Sequence, residues 1–120
     1  METHFEHELG GLKERLLTMA SHAESAVNRA VQALTGRDYD LALKVKDEDD
    51  ILDRLEVEVD ELAIGLLAKA PLASDLRLVT VAMKISQNLE RVGDEAAKIA
   101  KRARALSQEP PVLRVQVLEG

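Results

Sequence analysis

Apolar residues recur at alternating spacings of three and four along most of this chain. The first row is Leu9, Leu12, Leu16, Met19, Ala23, Ala26, Ala30 and Ala33, and a second row, Leu17, Val27, Val31 and Leu34, widens it. Such alternation marks one buried face of a helix, so a helix is predicted over residues 4–35. Gly10-Gly11 interrupts its start. Each glycine costs about 1 kcal/mol relative to alanine, which predicts frayed first turns. A second helix is predicted over residues 38–69 from Leu41, Val45, Leu52, Leu55, Val59, Leu62 and Leu66, a stripe broken only by Glu48. Between the two, Gly36 suits a C-terminal cap and Asp38 an N-cap. Pro71 separates the second helix from a third over residues 72–107. Its row of Leu78, Ala82, Ile85, Leu89, Val92, Ala96, Ile99, Ala103 and Leu106 keeps the alternation for four heptads. That period belongs to helices packed nearly parallel or antiparallel.

Loops this short between helices this long force neighbours to run antiparallel. The predicted fold is therefore all-α, an up-down-up antiparallel three-helix bundle about 45 Å long at 1.5 Å rise per residue. The bundle should occupy residues 1–109, with Leu52, Leu55, Val59, Leu62, Ile85, Leu89, Val92 and Ile99 buried. Pro110-Pro111 should stop the third helix. In the remaining tail, residues 110–120, Leu113 to Val117 alternates apolar and polar like a strand without a partner, so a weakly ordered terminus is expected. The surplus apolar residues Leu17, Val31, Ile51, Ile64, Leu67 and Val79 exceed one stripe per helix and predict a second buried surface, most simply that of a homodimer.

Composition narrows the chemistry. The chain has 120 residues, a net charge of −6 and no cysteine. The acidic balance argues against nucleic-acid binding. The missing thiols exclude disulfides, thiolate metal sites and a cysteine nucleophile. No apolar run approaches the ~18 residues that insert into a bilayer. The N-terminus is acidic and polar rather than a signal peptide, and a cytoplasmic protein is expected. With Phe5 and Tyr39 as the only aromatics, the core must be aliphatic.

The charged residues hold one pattern of interest. Asp49, Asp53, Glu56 and Asp60 follow one another at spacings of four, three and four, flanking the apolar stripe of the second helix. Glu90 and Asp94 flank that of the third. Carboxylates this close repel unless solvent screens them, Lys or Arg pairs them, or a cation binds. Arg54, Arg91 and Lys98 are the nearby bases. An all-oxygen site would suit hard or borderline ions. The level of each residue decides which can meet. Asp60 lies 11 residues before Pro71 and Asp94 23 after it, so those two are not at one height. Asp53 and Asp49 lie nearer the level of Glu90 and Asp94. His4, His7 and His22 read as surface or interface residues rather than ligands.

Several motifs go further. The second helix carries Asp53-Arg-Leu-Glu56-Val-Glu-Val-Asp60. The third carries Pro71-Leu-Ala-Ser-Asp-Leu-Arg77 and Leu89-Glu-Arg-Val-Gly-Asp94. With the opening Thr3-His-Phe-Glu and Leu9, Leu12 and Leu16, these segments resemble, in order and spacing over residues 3–107, one repeat of the PhoU family of phosphate-signalling regulators. The resemblance implies a three-helix bundle. It implies a multinuclear metal site (iron, zinc, manganese or magnesium) at Glu56, Asp60, Glu90 and Asp94, and the level of Asp53 adds it as an extra ligand. Gly93 would leave room for a neighbour or a metal-bound water. It also implies a non-enzymatic regulator that links a phosphate transporter ATPase to a sensor histidine kinase. Arg77 and Arg91 become candidates for contact with an acidic partner. Proteins of this family normally carry two such bundles in tandem, and this sequence holds one.

Two function classes follow. One is a metal-binding regulatory module of phosphate uptake and signalling. The other is a structural or adaptor bundle whose acidic face is merely solvated. A carboxylate-bridged di-iron enzyme is a weaker third, because that chemistry adds Glu-x-x-His ligands and neither acidic helix has that spacing.

Overall fold

The computed structural model describes residues 4–69 and 72–108. It is a three-helix bundle of α1 (His4–Gly36), α2 (Tyr39–Lys69) and α3 (Ala73–Ser107), each helix packed on both others. The expected tail and Pro71 fall outside the described residues. α1 is helical through Gly10 and Gly11, where fraying was expected. Tertiary packing of a long amphipathic face outweighs the local glycine cost.

The first connection is tight. Arg37 takes the left-handed conformation at φ 53°. The Asp38 amide donates back to the Ala33 carbonyl at 3.0 Å, the longer of the two bonds of a Schellman cap. The left-handed position thus falls on Arg37, one residue later than the expected Gly36. The Arg37 guanidinium donates to the Ser107 carbonyl at 3.2 Å, tying the turn to the end of α3. Asp38 is the N-cap of α2, its carboxylate accepting the Leu41 amide at 3.0 Å.

The core divides along the bundle. One half is built on Leu12, Met19, Leu52, Val59, Leu66 and Val79. The other is mostly methyl groups, from Ala26, Ala30, Ala33, Ala42, Ala96, Ala100 and Ala103 around Val45. On α1 the buried face is the predicted one, with Leu9 and Leu16 packed at its edge. On α2 the axis of burial includes Ala42 and Ala63, while Leu55 and Leu62 are only half-buried.

On α3 the expected Ala82, Ala96 and Ala103 are buried, but at Leu78, Ile85, Val92 and Ile99 burial passes to the next residue. The buried positions are Val79, Ala82, Ser86, Gly93, Ala96, Ala100 and Ala103. Ile85 and Val92, expected inside, are 43% and 40% exposed, and Leu78 and Leu106 are similar. Leu89 and Ile99 are half-buried at the margin. Small residues at Ser86, Gly93 and Ala100 let α3 approach its neighbours closely, so the large aliphatic row is pushed to the flank. Val79 and Leu67 were counted as surplus; Val79 is fully buried and Leu67 packs against the core. Leu17, Val31 and Ile64 remain exposed.

Glu48 does not leave a hole in the α2 stripe. Its carboxylate accepts from Arg29 Nη1 at 2.6 Å and Ser25 Oγ at 3.4 Å, and lies 2.5 Å from His22 Nδ1. His22, read from sequence as a surface or interface residue, thus serves to compensate a buried acid between α1 and α2.

Candidate metal centre

Along the seam between α2 and α3, both helices present carboxylates beside the core. At its centre the Leu52 side chain of α2 packs directly onto the bare Cα of Gly93. A Cβ added there would lie 2.5 Å from Leu52 Cδ1 and 3.4 Å from Asp49 Oδ1. This close approach brings the acidic residues of the two helices together.

Asp49, Asp53, Glu90 and Asp94 converge. One carboxylate oxygen from each lies within 4.8 Å of all the others. The antiparallel level explains the membership: Asp53 lies 18 residues before Pro71 and Glu90 19 after it, while Asp49 lies 22 before and Asp94 23 after. Glu56 is outside this set, although its carboxyl is still close enough to feel the charges of Asp60, Asp53 and Asp94. Asp60, further along the seam, is outside it as well. Asp49, which the motif-based ligand set omits, is the member that only the level argument could find.

Among the described residues, no Lys or Arg makes an ion pair with any of these six carboxylates. Lys98 pairs instead with Glu95 at 3.2 Å, both well exposed. Arg54 and Arg91 make no ion pair among the described residues. Burial and mutual repulsion together raise the carboxyl pKa values. Burial, the hydrogen bond with Asp53 and the charge of Asp94 push Glu90 up from the ordinary 4.5 to about 7. Burial and then the charges of Asp53 and Asp94 push Asp49 up from 3.8 to about 6. Glu56 is raised too, by burial first and then by Asp60. One oxygen each of Asp49 and Asp60 is buried without a hydrogen-bond partner. An oxygen-only donor set, crowded and, among the described residues, paired with no Lys or Arg, is what a hard or borderline cation relieves.

Residues 16–103 match the model of the PhoU domain. The chain belongs to the PhoU family. It is 41% identical over 106 residues to the phosphate-specific transport system accessory protein PhoU homolog of Aquifex aeolicus, covering 88% of this chain and 48% of that protein. To the PhoU protein of Escherichia coli it is 39% identical over 100 residues, covering 82% and 42%. The crystal structure of PhoU from Pseudomonas aeruginosa superposes with a TM-score of 0.85 at 42% identity, covering 87% of this chain and 50% of that one. The chain thus spans about half the length of the PhoU relatives it matches. The predicted all-α bundle and the family resemblance both stand.

Arg77 and Arg91, the candidates for partner contact, are not members of the carboxylate cluster. Both are exposed on the outward side of α3, and neither makes an ion pair among the described residues. No described helix is long and apolar enough to cross a membrane.

Proposed function

We propose that this chain is a non-enzymatic, cytoplasmic regulator of phosphate uptake and signalling. Its α2–α3 seam holds a metal, and the loaded bundle contacts the ATPase of a phosphate transporter, a sensor histidine kinase, or both. The observation that carries the reading is the convergence of Asp49, Asp53, Glu90 and Asp94 with no compensating base, in a chain of the PhoU family. The relatives named as phosphate-transport accessory proteins supply the pathway. The ligands are those four, with Glu56 and Asp60 extending the row to a second ion; iron, zinc, manganese and magnesium all suit oxygen donors of this kind. Arg77 and Arg91 make the partner contact.

Calorimetric titration of Mn²⁺ tests the site. Wild type should give binding heats that Glu90→Gln/Asp94→Asn loses; equal heats from both proteins would reject it. A pull-down with the cytoplasmic part of the cognate kinase tests the partner, with and without metal. Absence of binding in both conditions refutes the regulatory contact for this bundle. The exposed Leu17, Val31 and Ile64 support pairing with a second copy. A single 13.2 kDa species in sedimentation at tens of micromolar would refute that pairing.

A further inference from the structure

The core of α3 repeats every seven residues, through Val79, Ser86, Gly93 and Ala100. On the opposite, outward side the same period holds a row of cations: Arg77, Lys84, Arg91 and Lys98, all exposed. Each is followed by an aliphatic residue, giving Arg77-Leu78, Lys84-Ile85, Arg91-Val92 and Lys98-Ile99. Leu78, Ile85 and Val92, with Val81 beside them, are 40–49% exposed. Residues seven apart on a helix held at this period stay in line, so the double row runs for about 32 Å at 1.5 Å per residue. Lys98 is paired with Glu95, but Arg77, Lys84 and Arg91 have no ion-pair partner among the described residues. Three unpaired cations in line, in a chain of net charge −6, mark a surface of opposite sign to the rest.

We propose that this face of α3 docks an acidic amphipathic helix of a partner protein, in coiled-coil fashion. The partner's apolar side chains would sit on Leu78, Val81, Ile85 and Val92. Its carboxylates would meet the cation row, as flanking charges do in coiled coils. The inference deepens the partner-binding reading given above. A second copy using the same face would set the cation row against itself. An anionic bilayer fits less well, because the apolar members are half-sunk aliphatics with no aromatic among them, and the carboxylates of the seam lie on the cations' other flank.

The test uses the whole chain and four fluorescent probes at about 150 mM salt: a helical peptide of leucines and glutamates in heptad register, a scrambled peptide of the same composition, a heptad peptide with lysine for glutamate, and vesicles containing anionic phospholipid. The heptad peptide should bind at least tenfold more tightly than the scramble. Arg77→Glu/Lys84→Glu/Arg91→Glu should weaken it at least tenfold while the urea midpoint holds, and a lysine-for-glutamate peptide should recover binding to that variant. Equal binding of the scramble, a loss below twofold, or binding to vesicles without binding to the heptad peptide would each overturn the proposal. If the kinase pull-down succeeds while the peptide fails, the regulatory reading stands and the contact lies on another face.

Discussion

Gly93→Ala isolates the packing on which the acidic centre depends. The added methyl would lie 2.5 Å from Leu52 Cδ1, about 1.3 Å inside an ordinary carbon–carbon contact. Leu52 is fully buried, so its side chain has nowhere open to turn. Overpacking of this kind costs about 1–3 kcal/mol. Against it stands a gain of about 1 kcal/mol from replacing a mid-helix glycine by alanine. The expected net effect is a loss of about 0–2 kcal/mol. Gly65→Ala supplies the control, because its Cβ would meet nothing within 4 Å; it should gain about 0.5–1 kcal/mol. The difference between the two variants, read from urea midpoints at constant m-value, is then the packing cost alone. A double-mutant cycle sharpens it. Leu52→Ala by itself should lose about 2–5 kcal/mol, but it also removes the carbon that the new methyl strikes. The double variant should therefore be more stable than the two single losses predict, by about 1 kcal/mol or more. Additive losses, or a Gly93→Ala protein as stabilised as Gly65→Ala, would show that α2 and α3 do not meet closely at this point.

Three further outcomes follow from the same seam and its neighbour. Glu90, raised to about 7, and Asp49, raised to about 6, hold protons in the folded chain that the unfolded chain has released. Metal-free protein should thus lose stability as pH rises from about 4 through 7; urea melts in chelator check this, and a stability that rises over that window would contradict it. Asp49→Asn/Asp53→Asn should weaken Mn²⁺ binding at least tenfold, whereas Glu56→Gln/Asp60→Asn should weaken it less, as calorimetry would show; the reverse order would place the centre nearer the turn. Glu48→Leu should stay within about 1 kcal/mol of wild type in urea melts, since an apolar residue continues the stripe and His22 and Arg29 can reach water, while Glu48→Ala should lose about 2 kcal/mol by leaving a cavity.

Helix number, order and ends were readable because period and punctuation agree: three heptad rows, with Asp38 and Pro71 between them. The facing side of α3 was harder. Hydrophobicity favours Ile85 and Val92 over Ser86 and Gly93, yet close packing rewards the smaller pair, and size complementarity between helices is not written in one helix alone. Gly93 offered a hint through its place between Glu90 and Asp94. For the carboxylates, motif and level pointed to overlapping sets. The motif named Glu56 and Asp60; counting residues from the turn favoured Asp49 and Asp53, and the geometry brings those two to Glu90 and Asp94. The compensation of Glu48 by His22 and Arg29 spans two helices in register, which spacing within either one does not reveal.

The unequal halves of the core give the molecule a mechanical gradient. Burying a leucine or valine stabilises by roughly 1.5–3 kcal/mol, and a single methyl by roughly 0.8. The half around Leu12, Met19, Leu52, Val59 and Leu66 is therefore stiff. The half around Ala26, Ala30, Ala33, Ala100 and Ala103 is compliant, and its helices can part at lower free energy. Leu52 and Ala96 sit on either side of that boundary, and the four carboxylates straddle it, with Asp49 and Asp94 one turn or less from those two residues. An ion gripping all four would act as a clasp at the border, stiffening the alanine arm, and anything that pries that arm open would loosen the clasp.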